Sequence, residues 1–164
     1  MFGKKEITPE DISYGLTPFF NIHEPIKKAI NNISSDPEVQ ERIYFEIFLL
    51  KIFSIDFSLH NAMGDTKEKA AIMEQLLIDV ITKVPDGNPT VFIDSANKRQ
   101  LEYSRALKTT HNFSPPFMVG KTFCEFLGRK PDSSVAFLGS TIFMEMITKM
   151  DVMIKEFKNY KIKL

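Results

Sequence analysis

Residues 44–61 read YFEIFLLKIFSIDFSLHN, an aromatic-rich apolar run that is interrupted by the single ionisable residues Glu46, Lys51, Asp56 and His60. When the run is projected onto a helical wheel at about 100° per residue, apolar side chains cover almost the whole circumference. A surface helix would instead show one apolar face and one polar face. The run therefore predicts a helix that is surrounded by the rest of the protein.

The residues around the run set the limits of this helix. Asp36 is a suitable capping residue, Pro37 suits the first helical position, and Glu38 favours the positive end of the helix dipole. Gly64 is a typical stop signal. We therefore expect a central helix over about residues 37–62, which at about 1.5 Å per residue is long enough to run through a whole domain.

Capping residues and a helical period of apolar residues predict the other helices as well. These are expected at about residues 9–15, 18–34 with an interruption near Pro25, 66–84, 90 or 95–110, 117–127 and 133–158. The pattern indicates an all-α fold, a helical bundle of about five to seven helices around the central helix at about residues 37–62. The length of 164 residues, without a long linker, predicts a single domain over residues 1–164.

The connections between these helices are less clearly marked. Residues 85–89, PDGNP, have the composition of a turn, and the segment from His111 to Pro116 reads as a loop. Residues 90–93, TVFI, are expected either to be helical or to form a short extended piece before a capping Ser95. The lysine-rich tail at residues 155–164 is expected to be the fraying end of the last helix.

One glycine within the last predicted helix indicates a close contact between helices. Val135, Ile142, Met146 and Met150 lie on one arc of the helical wheel, and Gly139 lies on the same arc. A glycine there removes a side chain from the packing face of the helix. We therefore expect another helix to approach this position closely.

Composition argues against two classes of partner. The 21 basic and 21 acidic residues cancel, which removes the strong overall field of a general nucleic-acid binder. Residues 133–144 form an apolar stretch without charges, but this stretch is shorter than the roughly 20 residues that a spanning helix needs. We therefore expect neither nucleic acid nor a membrane as a partner.

The single cysteine, Cys124, cannot form an internal disulfide, and this fits a reducing compartment. Its apolar neighbours favour a buried small residue over a nucleophile. Gly120 and Lys121 resemble the end of a phosphate-binding loop, but Pro115 stands where that loop requires a glycine. The chain is therefore predicted to be a soluble cytoplasmic protein without a phosphate-binding loop.

Charge is unevenly distributed along the chain. From Ser95 to Lys130 seven basic residues oppose two acidic ones, a net charge of +5. From Asp36 to Asp94 eleven acidic residues oppose five basic ones, a net charge of −6. These two charge blocks would attract each other within one domain or between two copies, although solvated helix faces are the simpler interpretation.

Asp56 and His60 are four residues apart, so their side chains lie on one side of the central helix. A carboxylate and an imidazole at this spacing can share a metal ion, bind a small ligand, or form a structural hydrogen-bonded pair. The other histidines, His23 and His111, do not form a second such pair with a carboxylate at helical spacing. Asp56 and His60 are the candidate ligand-binding residues, and the sequence does not identify a cofactor or a metal.

The absence of an evident catalytic constellation leads to two hypotheses of function. The first is a cytoplasmic helical interaction or regulatory module that self-associates as a homodimer. The alternative is a helical-bundle protein, with or without enzymatic activity, that binds a metal ion or a small apolar ligand through Asp56 and His60.

Overall fold

The computed structural model describes residues 4–84, 88–109, 114–130 and 132–164. Within these ranges the protein is an all-α bundle of seven helices with very little strand, which confirms the predicted fold class. The helices are α1 (Pro9–Leu16), α2 (Glu24–Ile33), α3 (Pro37–Met63), α4 (Lys67–Ile81), α5 (Pro89–Lys108), α6 (Pro115–Phe126) and α7 (Ser133–Phe157). A 3-10 turn at Thr17–Phe20 follows α1, and the short strands β1 (Lys5–Ile7) and β2 (Tyr160–Ile162) lie near the chain ends.

The predicted central helix is confirmed as α3. It contacts α2, α4, α5, α6 and α7, and its buried residues follow one another without a break from Glu46 to Asp56. Buried apolar side chains from all seven helices form one contiguous core. Among the described residues, we find no helix with both the length and the apolarity that crossing a bilayer requires.

Local capping explains where several helices begin. The Thr8 side chain accepts a hydrogen bond from the Asp11 amide at 3.2 Å, and the Asp11 carboxylate accepts one from the Thr8 amide at 3.0 Å. Asp36 caps α3 by accepting from the Glu38 amide at 3.0 Å. These side chains satisfy amide groups that have no partner within the first turn of a helix.

The close contact expected at Gly139 is confirmed, and the partner is α6. A Cβ atom placed on Gly139 would lie 2.8 Å from both Cβ and Cγ of Phe123. Gly120 on α6 is equally confined, because a Cβ atom there would overlap the carbonyl oxygen of Ala136. Because the two glycines lack side chains, α6 and α7 approach closely. The backbone at Gly139 contacts the Phe123 side chain, and the backbone at Gly120 lies against Ala136 and Ser140.

The structure settles one boundary that the sequence left open and corrects another. The segment 90–93 is helical, because the Asn88 side chain caps α5 and accepts from the amides of Thr90 and Val91 at 3.1 and 3.3 Å. The alternative with an extended piece before Ser95 is therefore wrong. Pro115 starts α6 and does not belong to a loop, as expected for a proline in a first helical turn.

The predicted helix at 18–34 is interrupted at residues 21–23, before Pro25, which lies in the first turn of α2. Residues 85–87 of the predicted turn and residues 110–113 of the predicted loop, with His111, lie outside the described residues.

The prediction of a fraying helical tail is wrong for residues 160–162. These residues form β2, which pairs in parallel with β1 so that Ile7 faces Ile162. The Lys163 amide extends the pairing by donating to the Ile7 carbonyl at 2.9 Å. The N-terminal segment supplies the hydrogen-bonding partner that makes an extended conformation favourable here.

Candidate functional site

Four ionisable side chains interrupt the apolar surface of α3, and each has its own set of partners in neighbouring elements. Glu46 pairs with a residue of α5, Lys51 with the 3-10 turn, Asp56 with α4 and α5, and His60 with the turn after α3. A buried charge is tolerated only where a partner compensates for its lost hydration. These side chains therefore orient the neighbouring elements around the central helix.

The predicted pair of Asp56 and His60 is divided between two sets of partners. The Asp56 residue is 8% exposed, its carboxylate lies 2.9 Å from Lys69 Nζ, and it accepts a hydrogen bond from the Gln100 side chain. His60 is exposed, and its Nδ1 lies 2.9 Å from Oδ1 of Asp65. Lys69 is also 3.4 Å from Asp65 and so connects the two sets into one network at the α3–α4 junction.

The chemistry of this network differs from that of a metal site. The hydrogen bond from His60 and the hydrogen bond from Lys69 lower the pKa of Asp65, and the Lys69 ammonium also pairs with the Asp56 carboxylate. Within the described ranges, no group of three or more His, Cys, Asp or Glu side chains is placed to hold a metal ion. A ligand at Asp56 and His60 stays a prediction, and a cation would have to displace Lys69 from Asp56.

A second buried ion pair lies towards the amino end of α3. Nε of Arg99 on α5 donates to Oε2 of Glu46 at 2.9 Å, and Nη2 of Arg99 donates to Oε1. The two side chains are only 13% and 6% exposed. The guanidinium carbon of Arg99 also lies 3.7 Å from the centre of the Phe126 ring, a cation–π contact. The Arg99 side chain therefore joins α3, α5 and α6 at one point.

This ion pair lines a cleft of about 670 Å³ between α3, α5 and α6. Arg42 borders the same cleft and donates to the carbonyl of Leu127 at the end of α6, at 3.3 Å. The volume is within the range of small-molecule sites. The guanidinium groups of Arg42 and Arg99 are nevertheless engaged with protein oxygens that belong to other elements. Other residues that line the cleft are Glu38, Glu41, Phe45 and Val91.

Lys51 is a buried cation near the middle of α3. Its Nζ donates to the carbonyls of Phe19 and Asn21 at 2.8 and 3.2 Å. Burial lowers the pKa of Lys51 to about 8, although the negative charge of Glu145 opposes part of this shift. The side chain ties the 3-10 turn and the residue after it to the central helix.

Two hydroxyl groups, those of Ser58 and Tyr103, are buried without a hydrogen-bond partner among the described residues. The Tyr103 ring is 5.1 Å from the ring of Phe53 and 5.5 Å from that of Phe126, measured between centroids. Burial raises the pKa of Tyr103 well above its ordinary value. The phenol therefore stays protonated at neutral pH, and Tyr103 serves as an aromatic core residue.

The side of α7 that faces away from the core carries exposed apolar residues. Phe137, Met144 and Val152 are 71%, 47% and 57% exposed, and their spacing of seven and eight residues places them on one side of the helix. Thr141 and Thr148 lie between them on the same side. We refer to these five residues as the outer face of α7.

The helix α2 runs beside the outer face of α7, in the opposite direction. His23 next to the start of α2 pairs with Glu145 at 3.0 Å, and Ala29 and Ile33 near its end share a depression of about 580 Å³ with Phe137. A second depression, of about 660 Å³, follows α7 along Phe137 and Met144. Burial alone would raise the pKa of Glu145, but hydrogen bonds from Lys149 and His23 outweigh it and lower the pKa.

The residues that pair with the buried carboxylates of α3 were not predicted from the sequence. Gln100 and Arg99 lie 44 and 53 positions from the carboxylates that they contact, and a single sequence contains no signal that pairs residues this far apart. The outer face of α7 did have a signal, because Phe137 and Met144 are apolar residues that lie off the core-facing arc of the helical wheel.

Comparison with known protein families, with curated protein sequences and with solved structures finds no match to this chain.

Proposed function

We propose that this protein is a cytoplasmic interaction or regulatory module that works as a homodimer, with the outer face of α7 as the contact surface. The observation that carries the proposal is the line of exposed apolar side chains at Phe137, Met144 and Val152. Aligned apolar residues beside shallow depressions are typical of surfaces that bind another protein. A free, buried Cys124 supports a reducing compartment such as the cytoplasm.

The two charge blocks of the sequence carry less weight in this proposal. Glu46 of the acidic block and Arg99 of the basic block pair within one chain, so at least part of the attraction is satisfied internally. The buried carboxylate of Asp56 pairs with Lys69, a basic residue of the same acidic block, and is therefore not free to attract a second copy. The proposal therefore rests on apolar contact along α7.

Sedimentation equilibrium tests the proposal. The protein concentration should range from about 1 to 200 µM, because an interface smaller than the standard of about 800 Å² per partner dissociates at low concentration. We expect the mass to rise towards twice the 18.8 kDa of one chain. Phe137→Glu should shift the midpoint of association at least tenfold, since each dimer would bury two carboxylates. The matched control is Leu101→Glu on α5, an apolar residue that is 62% exposed and does not belong to the outer face of α7.

A mass of one chain throughout this range would overturn the proposed homodimer. An equal loss of association in Leu101→Glu and Phe137→Glu would place the contact elsewhere. Native mass spectrometry of the same preparation, purified without chelator, also reports any bound metal or small ligand. A stoichiometric ligand that is lost in His60→Ala would favour the alternative hypothesis over a module without a ligand.

A further inference from the structure

We infer that the partner of the outer face of α7 is the same face of a second copy, with the two α7 helices antiparallel about a twofold axis between Met144 and Glu145. In this arrangement Phe137 of each copy lies beside Val152 of the other. The inference rests on the proposed homodimer and adds its geometry. Its test is chosen so that the dimer and the packing can fail separately.

The spacing of the exposed residues is symmetric about this axis. Phe137 and Val152 each lie seven and a half positions from the midpoint between Met144 and Glu145, and Thr141 and Thr148 each lie three and a half positions from it. A twofold interface uses the same patch on both copies, so residues that pair must be equidistant from the axis. An antiparallel pair therefore brings Phe137 against Val152 and Thr141 against Thr148, while Met144 lies beside the axis, next to Met144 and Glu145 of the other copy.

Charge distinguishes the antiparallel pair from a parallel one. Lys155 is exposed and follows Phe137 by 18 residues, which is five helical turns, so it continues the same side of α7. Asp132 caps the opposite end of the helix. The antiparallel pair brings Lys155 of each copy near Asp132 of the other. It also directs the two helix dipoles in opposite directions, so that they attract each other. A parallel pair would bring the two Lys155 ammonium groups together.

The shape of the surface agrees with the same pairing. The depression beside Phe137 is bordered by Ala29 and Ile33 of α2, at the end of the outer face where Val152 of the second copy would lie. The large Phe137 side chain of each copy therefore lies beside the smaller Val152 side chain of the other copy. The residues of α2 that border the depression add to the contact.

The expected interface is modest in area. The segment of α7 from Phe137 to Val152 is about 22 Å long. A pair of helices in contact over that length buries less than the roughly 800 Å² per partner of a standard interface. The contribution of α2 is needed to approach that value. Association in the micromolar range is therefore expected, which sets the concentrations of the test.

Single cysteines test the packing, because only residues near a twofold axis meet their own copies. We would prepare Met144→Cys, Phe137→Cys and Val152→Cys, with Leu101→Cys as the exposed control, and apply mild oxidation above the dissociation constant. The buried Cys124 stays in place, and unsubstituted protein measures its background. Met144→Cys should crosslink to itself, and a mixture of Phe137→Cys with Val152→Cys should crosslink several-fold more than either variant alone.

Self-crosslinking of Phe137→Cys at the level of Met144→Cys would establish a parallel pair and overturn the antiparallel packing. A dimer mass in sedimentation with only background crosslinking at all three positions would also overturn the packing, while leaving the homodimer intact. A mass of one chain for unsubstituted protein would overturn the homodimer and the packing with it.

Discussion

Replacement of Gly120 by alanine tests how closely α6 and α7 approach each other. A Cβ atom at this position would overlap the carbonyl oxygen of Ala136 and Oγ of Ser140, and it would lie 2.9 Å from the backbone nitrogen of Ser140. Two of these three atoms belong to the backbone and cannot rotate away. The Ser140 hydroxyl is also engaged, because it donates to the Ala136 carbonyl at 2.9 Å. The added methyl group can be accommodated only if the two helices move apart.

The expected cost follows from two opposing effects. Overpacking of a well-packed core typically costs about 1–3 kcal/mol, and a clash with backbone lies at the upper end of that range. Replacement of glycine by alanine within a helix stabilises the folded state by about 1 kcal/mol, because alanine has the higher helix propensity. We therefore expect Gly120→Ala to lower the free energy of unfolding by about 2 kcal/mol. For a domain of this size, that corresponds to a fall of about 4–8 °C in Tm.

Urea unfolding followed by far-ultraviolet circular dichroism measures this change. Gly15→Ala on α1 is the matched control, because the nearest atom to its Cβ would be Cε of Met153 at 3.1 Å, the mobile end of a flexible side chain. The control should be neutral or more stable by up to about 1 kcal/mol. A Gly120→Ala protein as stable as the Gly15→Ala protein would refute the close approach of α6 and α7 at this point.

Two further predictions concern the charges on α3. Asp56→Ala should lower the free energy of unfolding by about 3 kcal/mol, because the largely buried Lys69 ammonium keeps only the more distant Asp65 carboxylate and the Gln100 side chain loses its acceptor. His60→Ala should change the free energy of unfolding by less than about 0.5 kcal/mol. Equal effects of the two substitutions in urea unfolding would contradict these separate roles. The pKa of Lys51 is lowered from 10.5 to about 8, so the unfolded chain binds more protons between these pH values and stability should rise with pH there. Relative to Lys51→Met, the gain should approach about 3 kcal/mol at about 1.4 kcal/mol per pKa unit; a constant difference from pH 7 to 10.5 would rule out this titration.

Helix positions were the part of the fold most accessible to prediction. The cap at Asp36 and the proline at position 37 act within a single turn, and α3 begins where they indicate. The confinement at Gly139 was likewise predicted, because a glycine on an apolar arc has few explanations other than close packing. Local hydrogen bonds and a repeating apolar pattern are properties of a short segment, so a single sequence contains them.

The candidate site was only partly predictable. Asp56 was selected as a polar group on an apolar helix, and the structure does give it a specific environment with Lys69 and Gln100. The expectation that Asp56 and His60 act together did not foresee Lys69, which lies in the following helix. Spacing along one helix shows which side chains share a side, but it does not show which neighbours supply their partners.

The sequence by itself determined the helical character of this protein and the central position of α3, because an apolar circumference can be satisfied only by surrounding protein. Tertiary structure alone decided the partners of Glu46, Lys51 and Asp56, since these partners belong to other elements of the fold. It also decided the pairing of β1 with β2, because residues 160–162 become extended only where residues 5–7 offer them hydrogen bonds. Ion pairs and strand pairing depend on which segments meet in space, and this is set by packing the whole chain.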